Sequence, residues 1–258
     1  MREIPVPQRQ RIDFMGMRFD DVTMAETIEQ IDGFVASGKP HRLFSINVAA
    51  YVEASKDPSL RSFYQSCDLL TLDGMGVFYA GRLLGLPFRE TVAASYLMFE
   101  ILSLAKERNY KIFLLGSRPE ILEQAVANLK ARYPGIVLSG SGDGYFSNAE
   151  ESRVVAKIAS SGADLLFIGM SSPLKEQFVL RNFDRLNVPV QIGVGGTIDV
   201  LADVTKLPPR WVRTAGLEWV NRLLQEPRRL WKRYLFSNTA FGFLVLKYIV
   251  RQVFRSEQ

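Results

Sequence analysis

Short apolar runs alternate with helical patterns along most of this chain, and that alternation constrains the fold more than any other feature. The runs are RLFSI (42–46), LLTL (69–72), KIFLL (111–115), IVLS (136–139), DLLFI (164–168) and PVQIGV (189–194). Helical spacing follows from about Met75, near 119–132, near 148–160 and near 173–186. Strands that alternate with helices are joined by right-handed crossovers and form a mostly parallel sheet. Ahead of them, IDFMGMRF (12–19) reads as a short strand or a hairpin around Gly16. Thr23 and Glu26 then make a capping-box pattern, with Ile28, Ile31 and Val35 at helical spacing behind it. The expected fold class is α/β.

Composition narrows the class. The chain has 258 residues, 47% hydrophobic and 23% charged, which excludes wholesale disorder, a collagen and a coiled coil. A lone cysteine, Cys67, cannot form an internal disulfide, and it is expected as buried packing. A lone histidine, His41, leaves little room for a His-rich zinc site or a Ser-His-Asp triad, and it is expected in a surface loop. MREIPVPQRQR at the start lacks the apolar run of a signal peptide, so secretion is not expected.

Charge divides the chain. Residues 206–258 carry eleven Lys or Arg against three Glu, a net +8, while residues 1–205 carry a net −3. A basic tail on a mildly acidic body calls for an anionic partner: phosphate, anionic lipid or nucleic acid. The expected division is therefore a core over 1–205 and a basic helical appendage over 206–258.

In open parallel sheets, ligands bind outside the carboxyl ends of the strands. Those ends carry Ser45 and Asn47, then Asp73, Gly74 and Gly76, then Gly116 and Ser117. Next come the glycine-rich stretch from Gly140 to Tyr145, Gly169 to Pro173, and Gly195, Gly196, Thr197 and Asp199. One such glycine is an ordinary turn residue; their recurrence on one edge suggests a cleft for something phosphorylated. Asp73, between a strand and a helix, could be a general base or bind a sugar hydroxyl; the plain alternative is a helix N-cap. Tyr145 could wall the cleft or fill the core, and Glu176 could bind a sugar hydroxyl or cap its helix.

No GxxxxGK[ST] loop occurs, and no GxGxxG follows the first strand, which disfavours a nicotinamide dehydrogenase. No Asp-x-Asp dyad stands ready to hold a metal on a nucleotide diphosphate. A reaction that expels a diphosphate would then draw on the tail arginines Arg210, Arg213, Arg222, Arg228 and Arg229. Most of these would otherwise form a solvated or lipid-facing surface. Trp211, Leu217, Trp219, Val220, Leu223 and Leu224 suggest a helix that packs on the core, interrupted at Pro227. The uncharged run 235–246 is shorter than the roughly 20 residues a span needs. With RRLWKRY (228–234) before it, that run suits a helix lying at a membrane interface, or else one packed on its own core or a second subunit.

Six segments carry a resemblance. They are DGMGVFYAGRLLG (73–85), LLGS (114–117), YPGI to GDGYF (133–146), IGMSSPLKEQF (168–178), IGVGGTIDVLAD (192–203) and PPRWVRTAGLEWVNRLLQEPRRLWKRY (208–234). On these the chain resembles the bacterial WecG/TagA/CpsF glycosyltransferase family from about residue 12 to about 236. The last segment is the most specific. The resemblance implies a Rossmann-like core and inverting, metal-independent transfer of a sugar from a UDP donor, with no cofactor. It implies a polyprenyl-diphosphate-linked sugar as acceptor, at the cytoplasmic face of the bacterial inner membrane, with the enzyme peripheral to it. The implied base is Asp73. The implied substrate-binding residues are Asn47, Arg222, and Arg228 or Arg229, beside the strand-end residues above and Lys175, Glu176 and Arg210. The appendage is implied to complete the active site and touch the membrane; a homo-oligomer is compatible with it.

Three departures from the family pattern bear on the donor. PKQE reads Pro173-Leu174-Lys175-Glu176, so Lys175 replaces Gln; Leu207 replaces an Arg; and the acid of RVxGxD is missing around Arg89 to Ser95. On these, a neutral hexose such as glucose is expected ahead of N-acetylmannosamine or its uronic acid. The competing functions are a nucleic-acid-binding α/β protein and a nucleotide-dependent oxidoreductase. Long apolar stretches between the tail's basic residues argue against the first, and the missing dinucleotide fingerprint against the second.

Overall fold

The computed structural model describes residues 10–209, 211–212 and 215–256. It opens on an antiparallel hairpin of β1 (Arg11–Phe14) and β2 (Met17–Asp20). Met15 and Gly16 turn it with φ of 49° and 78°, the doubly left-handed geometry that matches strand twist in tight hairpins. Ile12, Phe14, Met17 and Phe19 alternate inward and are buried.

The main sheet has six parallel strands in the order β4-β3-β8-β7-β5-β6. These are β3 (His41–Ile46), β4 (Leu69–Leu72), β5 (Lys111–Gly116), β6 (Val137–Gly142), β7 (Leu165–Gly169) and β8 (Val190–Gly193). The runs LLTL and VQIG are buried throughout, as strands covered by helices on both faces must be. The chain leaves β3 towards one edge and β5 towards the other, so the connections change direction within the sheet and open a crevice at the carboxyl ends. This is the α/β, Rossmann-like arrangement expected.

The helices start where local chemistry dictates. Thr23 and Glu26 form a capping box on α1 (Met24–Ser37), which Gly38 ends at φ 65°. Asn47 caps α2 (Val48–Lys56), and Asp57 caps α3 (Pro58–Gln65), with Pro58 in the first turn. α4 (Met75–Leu83), α5 (Ala94–Arg108), α6 (Pro119–Arg132), α7 (Asn148–Ser160), α8 (Leu174–Asn182) and α9 (Thr197–Leu201) complete the layers.

Several expectations change. β6 runs on to Gly142, so Gly140 and Gly142 are strand residues rather than a loop. A Cβ on Gly140 would lie 2.6 Å from the Phe113 ring, so glycine there lets the edge strand lie against β5. His41 is not in a loop: it opens β3 and stacks on Phe34, ring centroids 4.1 Å apart. Cys67 is buried, as expected.

The C-terminal helices differ most. α10 (Glu218–Gln225) buries none of its residues. Trp211, Leu217, Trp219 and Leu224 are exposed, against the expectation that they pack on the core. Trp219 instead meets Tyr234 edge-on, with centroids 6.1 Å apart. Pro227 marks the interruption expected: α10 stops at Gln225, and Pro227 starts a new helix, α11 (Pro227–Ser256), in the first-turn position where proline is tolerated. One face of α11 packs back on α2. There Phe241 and Val245 are buried, and Phe241 meets Tyr51 and Phe14 at 5.5 and 6.2 Å. Leu235, Phe236, Phe243, Leu246, Val250 and Phe254 stay exposed. No helix among the described residues is long and apolar enough to cross a membrane.

Candidate active site

Two strand ends build the centre of the site. The Asp73 backbone N–H donates to the Ile46 carbonyl at 2.9 Å, so the segment leaving β4 is tied to the end of β3. Next after Ile46 comes Asn47, whose Oδ1 accepts from the Ala50 N–H at 3.1 Å as the cap of α2. That fixes the Asn47 side chain and leaves its amide to hydrogen-bond the Asp73 carboxylate. Asp73 does not cap α4. The cap position is Gly74, with φ 82° and no side-chain hydrogen bond, so the Asp73 carboxylate remains available for chemistry.

Three groups from other elements act on the Asp73 carboxyl: Arg222 of α10 and Lys175 of α8 through their charges, and Asn47 at the head of α2 through a hydrogen bond. Burial pushes its carboxyl above the ordinary carboxylate range; Arg222, then Asn47, then Lys175 pull it back. A carboxylate displaced upward is a better proton acceptor near neutral pH than an exposed one.

The remaining strand ends meet backbone to backbone. Gly116, at φ 141°, leaves a place where a Cβ would lie 2.5 Å from the Gly169 carbonyl carbon, and a Cβ on Gly144 would lie 3.1 Å from Gly116 Cα. Gly76 similarly gives room to Val48. These glycines serve close packing of the edge first. Ser117, itself at φ 61°, donates its hydroxyl to Asp199 Oδ1 at 2.6 Å and links β5 to α9. Tyr145 is 71% exposed, which removes the core alternative for it.

The tail closes over this edge. Gly216, at φ 72°, sits against Met75 and Tyr79 of α4. The Gln225 side chain bridges the Lys206 backbone, accepting its N–H at 2.9 Å and donating to its carbonyl at 3.1 Å. Between tail and core lies an open cleft. Ser95, Tyr96, Gly196 and Asp199 line it from the core; Lys206, Glu218, Arg222 and Glu226 line it from the tail. Arg222 thus belongs both to the cleft and to the surroundings of Asp73.

Of the expected site residues, Asp73, Asn47, Lys175 and Arg222 come together, with Gly74 beside them. Gly196 lines the neighbouring cleft and Gly195 precedes it at φ 54°. Glu176 neither caps α8 nor opens to solvent: it is 1% exposed, and its carboxylate takes the Tyr64 hydroxyl at 2.6 Å and the Lys175 ammonium at 2.5 Å. Arg228 is exposed in the first turn of α11. Arg210 and Arg213 lie outside the described residues, as does the Arg229 side chain. Sequence reasoning missed Ser95, Tyr96, Lys206 and Glu218 as cleft residues, and Tyr64 as the partner of Glu176. No spacing rule links Tyr64 to a residue 112 positions away. Among the described residues no group of three or more His, Cys, Asp or Glu side chains could hold a metal ion.

Comparison with known proteins gives this arrangement a context. The model of the glycosyl transferase WecG/TagA/CpsF family matches residues 12–255. Two relatives, from Staphylococcus aureus strains MW2 and COL, are each 30% identical over 225 residues, which is 86% of this chain and 86% of the relative. Both are named N-acetylglucosaminyldiphosphoundecaprenol N-acetyl-beta-D-mannosaminyltransferase.

Proposed function

The chain belongs to the WecG/TagA/CpsF family and is a glycosyltransferase, and on that premise we propose that it moves N-acetylmannosamine from a UDP donor to N-acetylglucosamine carried on polyprenyl diphosphate. The observation that carries the mechanism is the setting of Asp73, a carboxylate raised by burial and faced by Asn47, Lys175 and Arg222. Asp73 takes the proton of the acceptor hydroxyl as that oxygen attacks the anomeric carbon. The bond from that carbon to the diphosphate breaks on the opposite side, so configuration inverts. Arg222 offers its guanidinium to the departing diphosphate, a planar donor suited to phosphate oxygens. Arg210, Arg228 and Arg229 are further candidates for that charge.

The relatives' names bear on the donor. Glucose, expected from the departures at Lys175, Leu207 and Ser95, has no support among them. The acid missing near Ser95 does not leave its surroundings without carboxylates, because Asp199, Glu218 and Glu226 line the same cleft. Sugar hydroxyls therefore have acceptors there.

In this reading residues 1–205 form the catalytic core, and 206–258 complete the site and bring it to the membrane. The exposed apolar side of α11, with Arg228, Lys232, Arg233, Lys247 and Arg251 on the same helix, supports peripheral attachment to an anionic surface. The cytoplasmic face of the inner membrane, where such lipid-linked acceptors are built, is the expected location.

The test is transfer from UDP-N-acetylmannosamine, with UDP-glucose alongside, to lipid-diphosphate-linked N-acetylglucosamine in the presence of EDTA. Transfer of N-acetylmannosamine that survives EDTA and collapses in Asp73→Asn is the expected result. Transfer of glucose alone, or full turnover by Asp73→Asn, would overturn it.

A further inference from the structure

Arg222 is carried by a helix that packing does not fix. α10 has 8 residues, fewer than an isolated helix needs to persist in water, and none of them is buried. Its place is set by specific contacts instead. At its start, Gly216 lies in the left-handed region at φ 72°, and a Cβ there would stand 3.0 Å from Met75 Cβ. Near its start, Trp219 meets Tyr234 of α11. At its end stands Gln225, one turn beyond Arg222 and on the same side of the helix.

Gln225 does what a neighbouring strand would do. Its Oε1 accepts the Lys206 N–H at 2.9 Å, and its Nε2 donates to the Lys206 carbonyl at 3.1 Å. A primary amide offers an acceptor and a donor side by side without charge, which matches both backbone groups of one residue. Lys206 in turn follows a segment pinned to the core. The Val204 and Thr205 N–H groups both donate to the Asp199 carbonyl, at 2.9 and 3.2 Å. The Asp199 carboxylate takes the hydroxyl of Ser117, at the end of β5, at 2.6 Å. A path of hydrogen bonds and backbone thus runs from the sheet edge through α9 and Lys206 to α10. Asp199, Thr205, Lys206, Arg222 and Gln225 all line the one cleft.

We infer that Gln225 is a positioning residue: its paired hydrogen bonds to the Lys206 backbone set α10 against the sheet edge and hold Arg222 at the cleft, where its guanidinium meets a diphosphate. This role rests on the reading of Arg222 as the partner of the donor's diphosphate. Both bonds lie at the surface, so their loss loosens α10 and leaves the core folded.

The experiment is a double-mutant cycle in the full-length chain, with Gln225→Ala, Arg222→Ala and the pair. UDP affinity by calorimetry, transfer from UDP-N-acetylmannosamine and melting temperature are read on the same samples. Gln225→Ala is expected to weaken UDP about fivefold and to lower kcat/KM about as much, the effect of losing two exposed hydrogen bonds, with melting close to wild type. In the Arg222→Ala background the same change is expected to alter neither. A residue that only supports the fold would cost the same in both backgrounds. Gln225→Glu keeps an acceptor for the Lys206 N–H but sets an oxygen against the Lys206 carbonyl, and is expected to behave as Gln225→Ala does. Should Gln225→Ala fail to fold, Gln225→Asn, whose amide falls one methylene short of Lys206, takes its place in the cycle. Equal losses in both backgrounds, or wild-type affinity in the Gln225 variants, would overturn the inference. Coupled UDP binding without sugar transfer would remove the proposed reaction and leave the role of Gln225 standing. Transfer without coupling would remove only that role, and wild-type protein that neither binds UDP nor transfers sugar would remove both.

Discussion

Leu165 to Ile168 in β7 are buried without exception, whereas α10, only 8 residues long, buries nothing at all. The two regions contribute to one site by different means. Around the sheet, glycine and serine hold the edge with close backbone contacts: Gly116 on Gly169, Gly144 on Gly116, Ser117 on Asp199. Among the described residues the tail meets the core through Gly216 on α4 and the Phe241 face of α11 on α2. Asp73 belongs to the first region and Arg222 to the second. A base must be placed to a fraction of an ångström, and a packed sheet edge does that. A charge clamp that admits and releases a nucleotide gains from looser attachment.

That contrast can be broken at four places. The largest effect belongs to Asp73→Asn, which removes the proposed proton acceptor and is expected to lower kcat about 1,000-fold, within the range for a general base. The same change should raise stability. A carboxyl above its unfolded value disfavours folding when ionised: its contribution is present at low pH and lost as pH rises through the folded value. Asp73→Asn therefore melts above wild type at pH 7, and the difference vanishes in acid, where the native carboxyl is protonated; calorimetry at both pH values checks this. Activity lost with a lower melting temperature at pH 7 would contradict the electrostatic reading.

Gly116→Ala comes next. It forces a Cβ to within 2.5 Å of the Gly169 backbone at a φ of 141°, so urea unfolding should show a loss of about 4 kcal/mol. Phe241→Ala opens a hole under α11 between Phe14 and Tyr51 and should cost about 3 kcal/mol by the same method. The smallest change in stability, within about 0.5 kcal/mol, is expected for Phe236→Ser with Phe243→Ser on the exposed side of α11. The same pair should reduce co-sedimentation with anionic vesicles about tenfold. Unchanged co-sedimentation would leave that face without a lipid role.

Much of the sheet could be read from the chain because each strand is a short apolar run between helices with ordinary caps. LLTL at 69–72 and the helices at 119–132 and 148–160 fall where periodicity puts them. The stretch 48–65 was harder. α2 carries alanines and buried residues on several sides, so it offers little amphipathic contrast, and only the caps Asn47 and Asp57 mark its limits. The tail misled because its tryptophans look like core. Trp211 and Trp219 are exposed, and Trp219 packs edge-on against Tyr234 of α11 instead. In the site, Asp73 was visible as an acid at a strand end, Asn47 and Arg222 as matches to a family pattern, and Lys175 as a departure from it. Their convergence was not visible, because it depends on which strands neighbour each other. Nor was the Tyr64–Glu176 bond, which joins two helices on one side of the sheet.

The central claim is that a sheet-borne base and a tail-borne arginine form one catalytic unit. Turnover of Arg222→Ala with UDP-N-acetylmannosamine and lipid-linked N-acetylglucosamine tests it most directly, with the melting temperature measured on the same sample. A fall in kcat of about 100-fold at an unchanged melting temperature is expected for loss of a charge that stabilises the leaving diphosphate. Wild-type turnover by that variant would contradict the claim and leave the tail as an anchor alone.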